Sequence, residues 1–194
     1  MINIEYIANK ITQKLYADYD MDAVEKAKIE YGFSISFGVA IELTLALLIS
    51  LLLGTVAITL LMMISALVLR MNTGGAHCSS YDRCLIFTLL TFIPLSALLN
   101  FILTTQTPEI VLIISVCFFA AACIFLLGVK KKMTMYILLY AVVTTVAANF
   151  FDNMFLTNMM LATASGMLVQ AFMATKPGDV VVNIADKFMK IIHI

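Results

Sequence analysis

The chain has 194 residues, 62% of them apolar and 12% charged, with a mean hydropathy of +1.03. A soluble domain carries about twice that share of charge, which excludes a soluble globular enzyme and a disordered chain. Twelve basic residues balance twelve acidic ones, so there is no polycationic signal for nucleic acid.

Residues 1–32 are mixed in polarity. Ile4, Ile7, Ala8, Ile11 and Leu15 share one helical face, with Lys10, Gln13 and Lys14 elsewhere. The pattern predicts an amphipathic helix lying on the membrane surface rather than a signal peptide. Asp22-Ala-Val-Glu25 reads as a capping box that starts a second helix leading into the bilayer.

Beyond it, charge almost disappears. Residues 43–69, 84–108, 110–129, 133–151 and 153–175 carry none. A helix needs roughly 20 apolar residues to cross the hydrocarbon core. The last four stretches each fit one crossing. The run from Tyr31 to Leu69, interrupted only by Glu42, suits two with a break at Gly54-Thr55. The expected fold is all-α and polytopic, with six spans near 33–53, 56–71, 85–103, 109–129, 133–151 and 155–175. Segments such as Leu43–Leu53 show no polar stripe, unlike helices of soluble proteins.

All twelve Lys and Arg fall on one side of this arrangement: before span one, between spans two and three, between spans four and five, and after span six. The opposite side receives Gly54-Thr55, Thr104–Pro108 and the stretch around Asp152. The positive-inside rule then makes both termini cytoplasmic. Residues 176–194 repeat the amphipathic theme, with Val181, Ile184, Phe188 and Ile191 on one face and Lys187 and Lys190 off it. Surface attachment is the favoured reading for both end segments; docking of a membrane-bound peptide is the sharper alternative. The chain reads as a single membrane-embedded domain over 1–194: an amphipathic segment 1–32, a bundle 33–175 and a tail 176–194.

The longest polar interruption runs from Arg70 to Cys84. It holds His77, one of two histidines (the other is His193), and Cys78 and Cys84, two of four cysteines. A thiol and an imidazole near Gly74-Gly75 are the parts of a nucleophilic Cys-His site. On one continuous helix His77 and Cys84 would lie about 10.5 Å apart along the axis. A dyad therefore requires a re-entrant loop or broken helix between them, which Ser79-Ser80 and the glycines permit. Cys78 is a competing thiol, but adjacent side chains on a helix diverge by about 100°. Cys117 and Cys123 read as small apolar packing residues. His77, Cys78 and Cys84 with Asp82 offer an alternative metal set, yet paired zinc-ligand spacing is absent; neither metal nor cofactor is expected. A disulfide is not expected in a reducing cytoplasm.

At this loop the chain resembles the accessory gene regulator B (AgrB) family, membrane endopeptidases of peptide quorum sensing. The resemblance rests on Arg70-x-x-x-Gly74-Gly75-x-His77-x-x-x-x-x-x-Cys84, supported by length, span count, Tyr31-Gly32 and the tri-lysine after span four. It implies a bacterial plasma-membrane thiol protease that cuts the tail from an AgrD-like propeptide through a Cys84 acyl-thioester, with His77 as base. An internal Cys or Ser of the peptide then closes a thiolactone or lactone ring. It also implies a homodimer. Cys78 is not part of the family pattern.

Arg70, Gly74 and Gly75 are expected to support the site, with an oxyanion held by backbone N–H groups either around Gly74-Gly75 or at the helix start near Cys84. Asn72, Ser80 and Asp82 are candidates to orient the base. Arg83 is expected to mark topology or touch lipid phosphate. Glu42, about three turns into span one, should face the bundle or a water-filled crevice, and is a candidate substrate contact. Lys130, Lys131 and Lys132 read as inside-facing charge on anionic lipid, or as a handle for an acidic propeptide tail. The rival functions are a non-enzymatic peptide exporter or chaperone, which needs no working thiol, and a metal-handling membrane protein. An S-acyltransferase would normally show a cysteine-rich zinc domain, which is absent.

Overall fold

A computed structural model describes residues 4–16, 22–151 and 154–192. The described residues form helices α1 (Ile4–Leu15), α2 (Ala23–Leu52), α3 (Val56–Thr73), α4 (Tyr81–Thr105), α5 (Pro108–Leu127), α6 (Lys131–Phe151), α7 (Met154–Met173) and α8 (Lys176–Ile191). Six of them, α2 to α7, are long and apolar enough to cross a bilayer. An even number of crossings returns α8 to the side of α1.

The spans fall where the charge gaps place them, with two informative differences. α2 runs unbroken for 30 residues, about 45 Å, so its charged first turns project beyond a hydrocarbon core of about 30 Å. α4 begins at Tyr81, which puts Asp82, Arg83 and Cys84 on its first turn rather than in the loop. The break between α2 and α3 is at Gly54-Thr55, as expected. Asp22 is the N-cap of α2, and its carbonyl accepts from the Lys26 N–H at 3.0 Å. The capping-box side-chain bond from Asp22 is not made. Asp152 and His193 lie outside the described residues.

The least apolar span, α7, is the most buried. A helix surrounded by other helices need not be greasy; it needs small residues that let backbones approach. α7 supplies Ala162, Thr163, Ala164, Ser165 and Gly166, all buried. α3 and α5 pack along it. At Gly166 the α3 backbone is so near that an added Cβ would collide with the Met62 carbonyl. Leu69, Phe119, Leu126 and Met160 fill one part of the core, and Met62, Phe92, Leu99 and Leu161 another.

The end helices are seated as well as amphipathic. α1 packs against α2 through buried Ala8 and Thr12, and the Asn9 amide donates to Glu30 at 2.8 Å. α8 buries Gly178, Val182, Asp186 and Met189 against α4 and α7. Its Val181, Ile184, Phe188 and Ile191 remain exposed, the apolar face anticipated from the sequence.

Candidate functional site

The polar loop is shaped by its glycines. α3 ends where the Gly74 N–H donates back to the Arg70 carbonyl at 2.8 Å. Gly74 then adopts φ 71°, ψ −153°, and Gly75 φ 153°, backbone that is essentially reserved to glycine. Residues 74–80 run non-helically and are tied down along their length. Gln170 Nε2 on α7 donates to the Gly74 carbonyl at 2.7 Å, and the Ala76 N–H to the Met173 carbonyl at 3.4 Å. The Ser79 N–H donates to Asp186 Oδ1 on α8 at 3.0 Å. Helix resumes after Ser80, whose carbonyl accepts from the Cys84 N–H at 3.1 Å. The break needed between His77 and Cys84 is therefore present.

Arg70 projects from the last turn of α3 into this loop. Its Nη2 donates to the Ala76 carbonyl at 2.9 Å and lies 3.2 Å from His77 Nδ1 and 3.3 Å from Nε2. Nη1 reaches Gln170 Oε1 at 3.5 Å. A guanidinium only donates, so the ring nitrogen it bonds must carry a lone pair. Burial, and then the Arg70 charge, hold the His77 pKa below its ordinary value.

Cys84 opens onto a cavity of about 40 Å³ whose walls include Arg70, Ala76, Phe87, Thr88, Gln170 and Val182. The Cys78 thiol lies near the Cys84 thiol, close enough for the two to influence each other's ionisation. Burial, then the neighbouring Cys84 and the Asp186 carboxylate, push the Cys78 thiol up to about 11, with Arg83 opposing. Among the described residues no hydrogen bond joins His77 to Cys84; the imidazole meets Arg70 instead.

The other candidates divide. Glu42 is half-buried and lies near the Thr88 side chain, on the cavity wall, and near Arg70. Lys130 Nζ donates to the Asn72 carbonyl at the end of α3 at 2.8 Å, while Lys131 and Lys132 are exposed on the first turn of α6. The Asn72 amide turns back to the Val68 carbonyl at 2.9 Å, and Ser80 Oγ accepts from Arg83 Nε at 2.8 Å, so neither orients His77. Arg83 does not reach for lipid phosphate. It is nearly buried and pairs with Asp186 at 3.2 Å. Cys123 is buried with its thiol 4.0 Å from the Thr134 carbonyl, and Cys117 is exposed. Among the described residues no three His, Cys, Asp or Glu side chains converge as a metal set.

Two residues that hold the loop escaped the sequence reading. Gln170 is the amide in the apolar run 153–175 that lies near its basic end, and this placement was its signal. Asp186 falls on the stripe Gly178, Val182, Met189 that α8 buries, an acidic residue on the wrong face of an amphipathic helix. Ser79 hydrogen bonds and the charges of Arg83 and Lys190 outweigh the opposing effect of burial and hold the Asp186 carboxyl below its usual range.

Six apolar spans with a polar, thiol-bearing loop gathered at one end of the bundle define a multi-pass membrane protein. The chain belongs to the AgrB family, Accessory gene regulator B, whose description it matches over residues 4–174. That family is associated with processing of quorum-sensing peptides. No curated protein and no solved structure matches the chain.

Proposed function

We propose that this protein is a membrane cysteine endopeptidase that cleaves and cyclises an AgrD-like propeptide at the inner face of the bacterial plasma membrane. The observation that carries the reading is Cys84, which opens onto a cavity walled by Arg70 while His77 is held on that same arginine. Cys78, which burial and its neighbours keep protonated, is the poorer nucleophile, because the thiolate is the attacking form.

In this mechanism His77 turns from Arg70 toward Cys84, since hydrogen bonds of catalytic groups often tighten only with substrate bound. It takes the thiol proton as sulfur attacks the carbonyl before the propeptide tail. Arg70 and the Gly75 N–H stabilise the oxyanion; the Gly74 N–H is spent on the Arg70 carbonyl. The C–N bond breaks, the imidazolium returns its proton to the leaving amine, and the signal segment remains as a thioester on Cys84. An internal thiol or hydroxyl of the peptide then attacks that thioester. Its proton passes through His77 to the Cys84 sulfur as the ring closes. Holding the internal nucleophile beside the acyl group raises its effective concentration, and apolar walls limit competing hydrolysis.

The exposed Lys131 and Lys132 receive an acidic tail, and Glu42 contacts substrate from the cavity side. Both termini face the cytoplasm on the positive-inside rule, and two copies act together as a homodimer on the family resemblance alone. A cavity of about 40 Å³ holds water rather than a peptide backbone, so it must widen to admit substrate.

The test is co-expression with a propeptide, followed by mass spectrometry of the membrane fraction. The expected result is a covalent peptide adduct on Cys84 that is lost in Cys84→Ala and kept in Cys78→Ala. An adduct on Cys78, or peptide processing by Cys84→Ala, would refute the assignment.

A further inference from the structure

The family match ends at residue 174, yet the next helix supplies the carboxylate on which the thiol loop is hung. Asp186 is 7% exposed. It accepts from the Ser79 N–H at 3.0 Å and from Ser79 Oγ at 2.8 and 3.1 Å, and pairs with Arg83 Nε at 3.2 Å and Lys190 Nζ at 3.5 Å. Ser79 follows Cys78 in the chain, and Arg83 precedes Cys84. One carboxylate thus holds the chain neighbour of each thiol, Ser79 through its N–H and hydroxyl and Arg83 through its guanidinium. Arg83 also bonds Ser80 Oγ at 2.8 Å, which closes the arrangement across the first turn of α4.

We propose that Asp186 is a positioning residue for the thiol chemistry: it fixes the loop through Ser79 and the start of α4 through Arg83, so that Cys84 rather than Cys78 is presented to the peptide carbonyl. The inference rests on Cys84 being the nucleophile. It extends that reading by assigning the choice between two neighbouring thiols to a residue of α8. Charge works in the same direction as geometry. The groups facing Asp186 are Ser79, Arg83 and Lys190, with Cys78 close enough for the carboxylate to oppose its ionisation. Removing the carboxylate frees the loop and lifts that opposition together.

The experiment uses the full chain in proteoliposomes and two readouts. The first is iodoacetamide labelling at mildly alkaline pH, with peptide mass spectrometry reporting the ratio of Cys78 to Cys84 modified. Asp186→Asn is expected to raise that ratio about threefold or more. Asp186→Glu, which keeps the charge, is expected to restore part of it. General loosening would label both thiols faster and leave the ratio unchanged, which would overturn the proposal. The second readout is propeptide cleavage. Asp186→Asn is expected to lower kcat about tenfold, as loss of hydrogen bonds to a charged acceptor implies, with little change in KM. Asp179→Asn, on the exposed side of the first turn of α8, is expected to match the parent in both.

Ser79→Ala removes the hydroxyl bonds and keeps the backbone one, so it should shift the ratio in the same direction by less. Combined with Asp186→Asn it should add nothing further. If Asp186→Asn does not insert, Ser79→Ala carries the prediction, and a parental ratio and kcat in that variant would refute it. Failure of the nucleophile assignment shows separately, as turnover by Cys84→Ala; the labelling ratio needs no substrate.

Discussion

Gln170 offers a direct test of whether the loop must be held for the site to work. Its amide is 3% exposed. Nε2 donates to the Gly74 carbonyl at 2.7 Å and to Thr73 Oγ1 at 3.3 Å, and Oε1 accepts from Arg70 at 3.5 Å. The last two are long and count for little. The short bond is the one that pins Gly74 in a conformation few residues adopt. Gln170→Ala removes it; Gly74 is exposed and its carbonyl keeps the Thr73 Oγ1 bond at 3.0 Å, so the cost is the net worth of one hydrogen bond, about 0.5–1.5 kcal/mol. If that cost falls wholly on the positioned state of the loop, cleavage slows by about 2- to 13-fold. Gln170→Glu should be little better, because a carboxylate cannot donate to the Gly74 carbonyl. The assay is propeptide cleavage by purified protein in proteoliposomes, with thermal unfolding in detergent measured alongside. The expected outcome is a fall in kcat larger than the loss of thermal stability explains. Full turnover in Gln170→Ala would show that Gly74 holds its place without α7, and the reasoning would fail.

Other outcomes follow from the same structure. Gly166→Leu should abolish stable insertion or lower the unfolding temperature sharply, because α3 backbone occupies the space. Overpacking costs about 1–3 kcal/mol even where neighbours can shift; normal expression and melting would contradict the close α3–α7 approach. The His77 pKa lies below its ordinary value of 6.5, and the base must be neutral. The acid limb of kcat/KM should therefore fall below that value, with activity lost as pH drops through the lowered pKa. In Arg70→Gln, nuclear magnetic resonance of the His77 ring should show titration at higher pH, since one of the two causes is gone. An unchanged titration would dissociate Arg70 from His77.

Charge gaps made the six spans legible because lipid leaves so few alternatives: an apolar stretch of the right length either crosses or is buried. The order of helices around α7 was not legible. All six spans look alike to hydropathy, and the feature that singles out α7, its run of small residues, acts through backbone distance rather than polarity. Arg70, His77 and Cys84 were found from spacing and family resemblance, and the chain break between the last two from simple helix geometry. Their partners were not. Sequence places His77 and Cys78 side by side, but side-chain direction in an irregular loop depends on Gly74 and Gly75 dihedrals and on anchors 96 and 107 positions away. For the same reason Arg83 read as a topology marker. Its partner Asp186 lies in a tail that hydropathy assigns to the membrane surface.

The tight seam between α3 and α7 also decides what can move. Arg70 and Gln170 ride on two helices whose backbones touch at Gly166, a fixed jaw. Cys84 rides on α4, which packs mainly on α2 and α3 and is tied to α8 through Arg83 and Asp186. Admission of a peptide is then expected to part α4 from α8 at that ionic tie while the guanidinium stays put, and a cross-link from α4 to α8 should leave a folded protein that never opens its mouth.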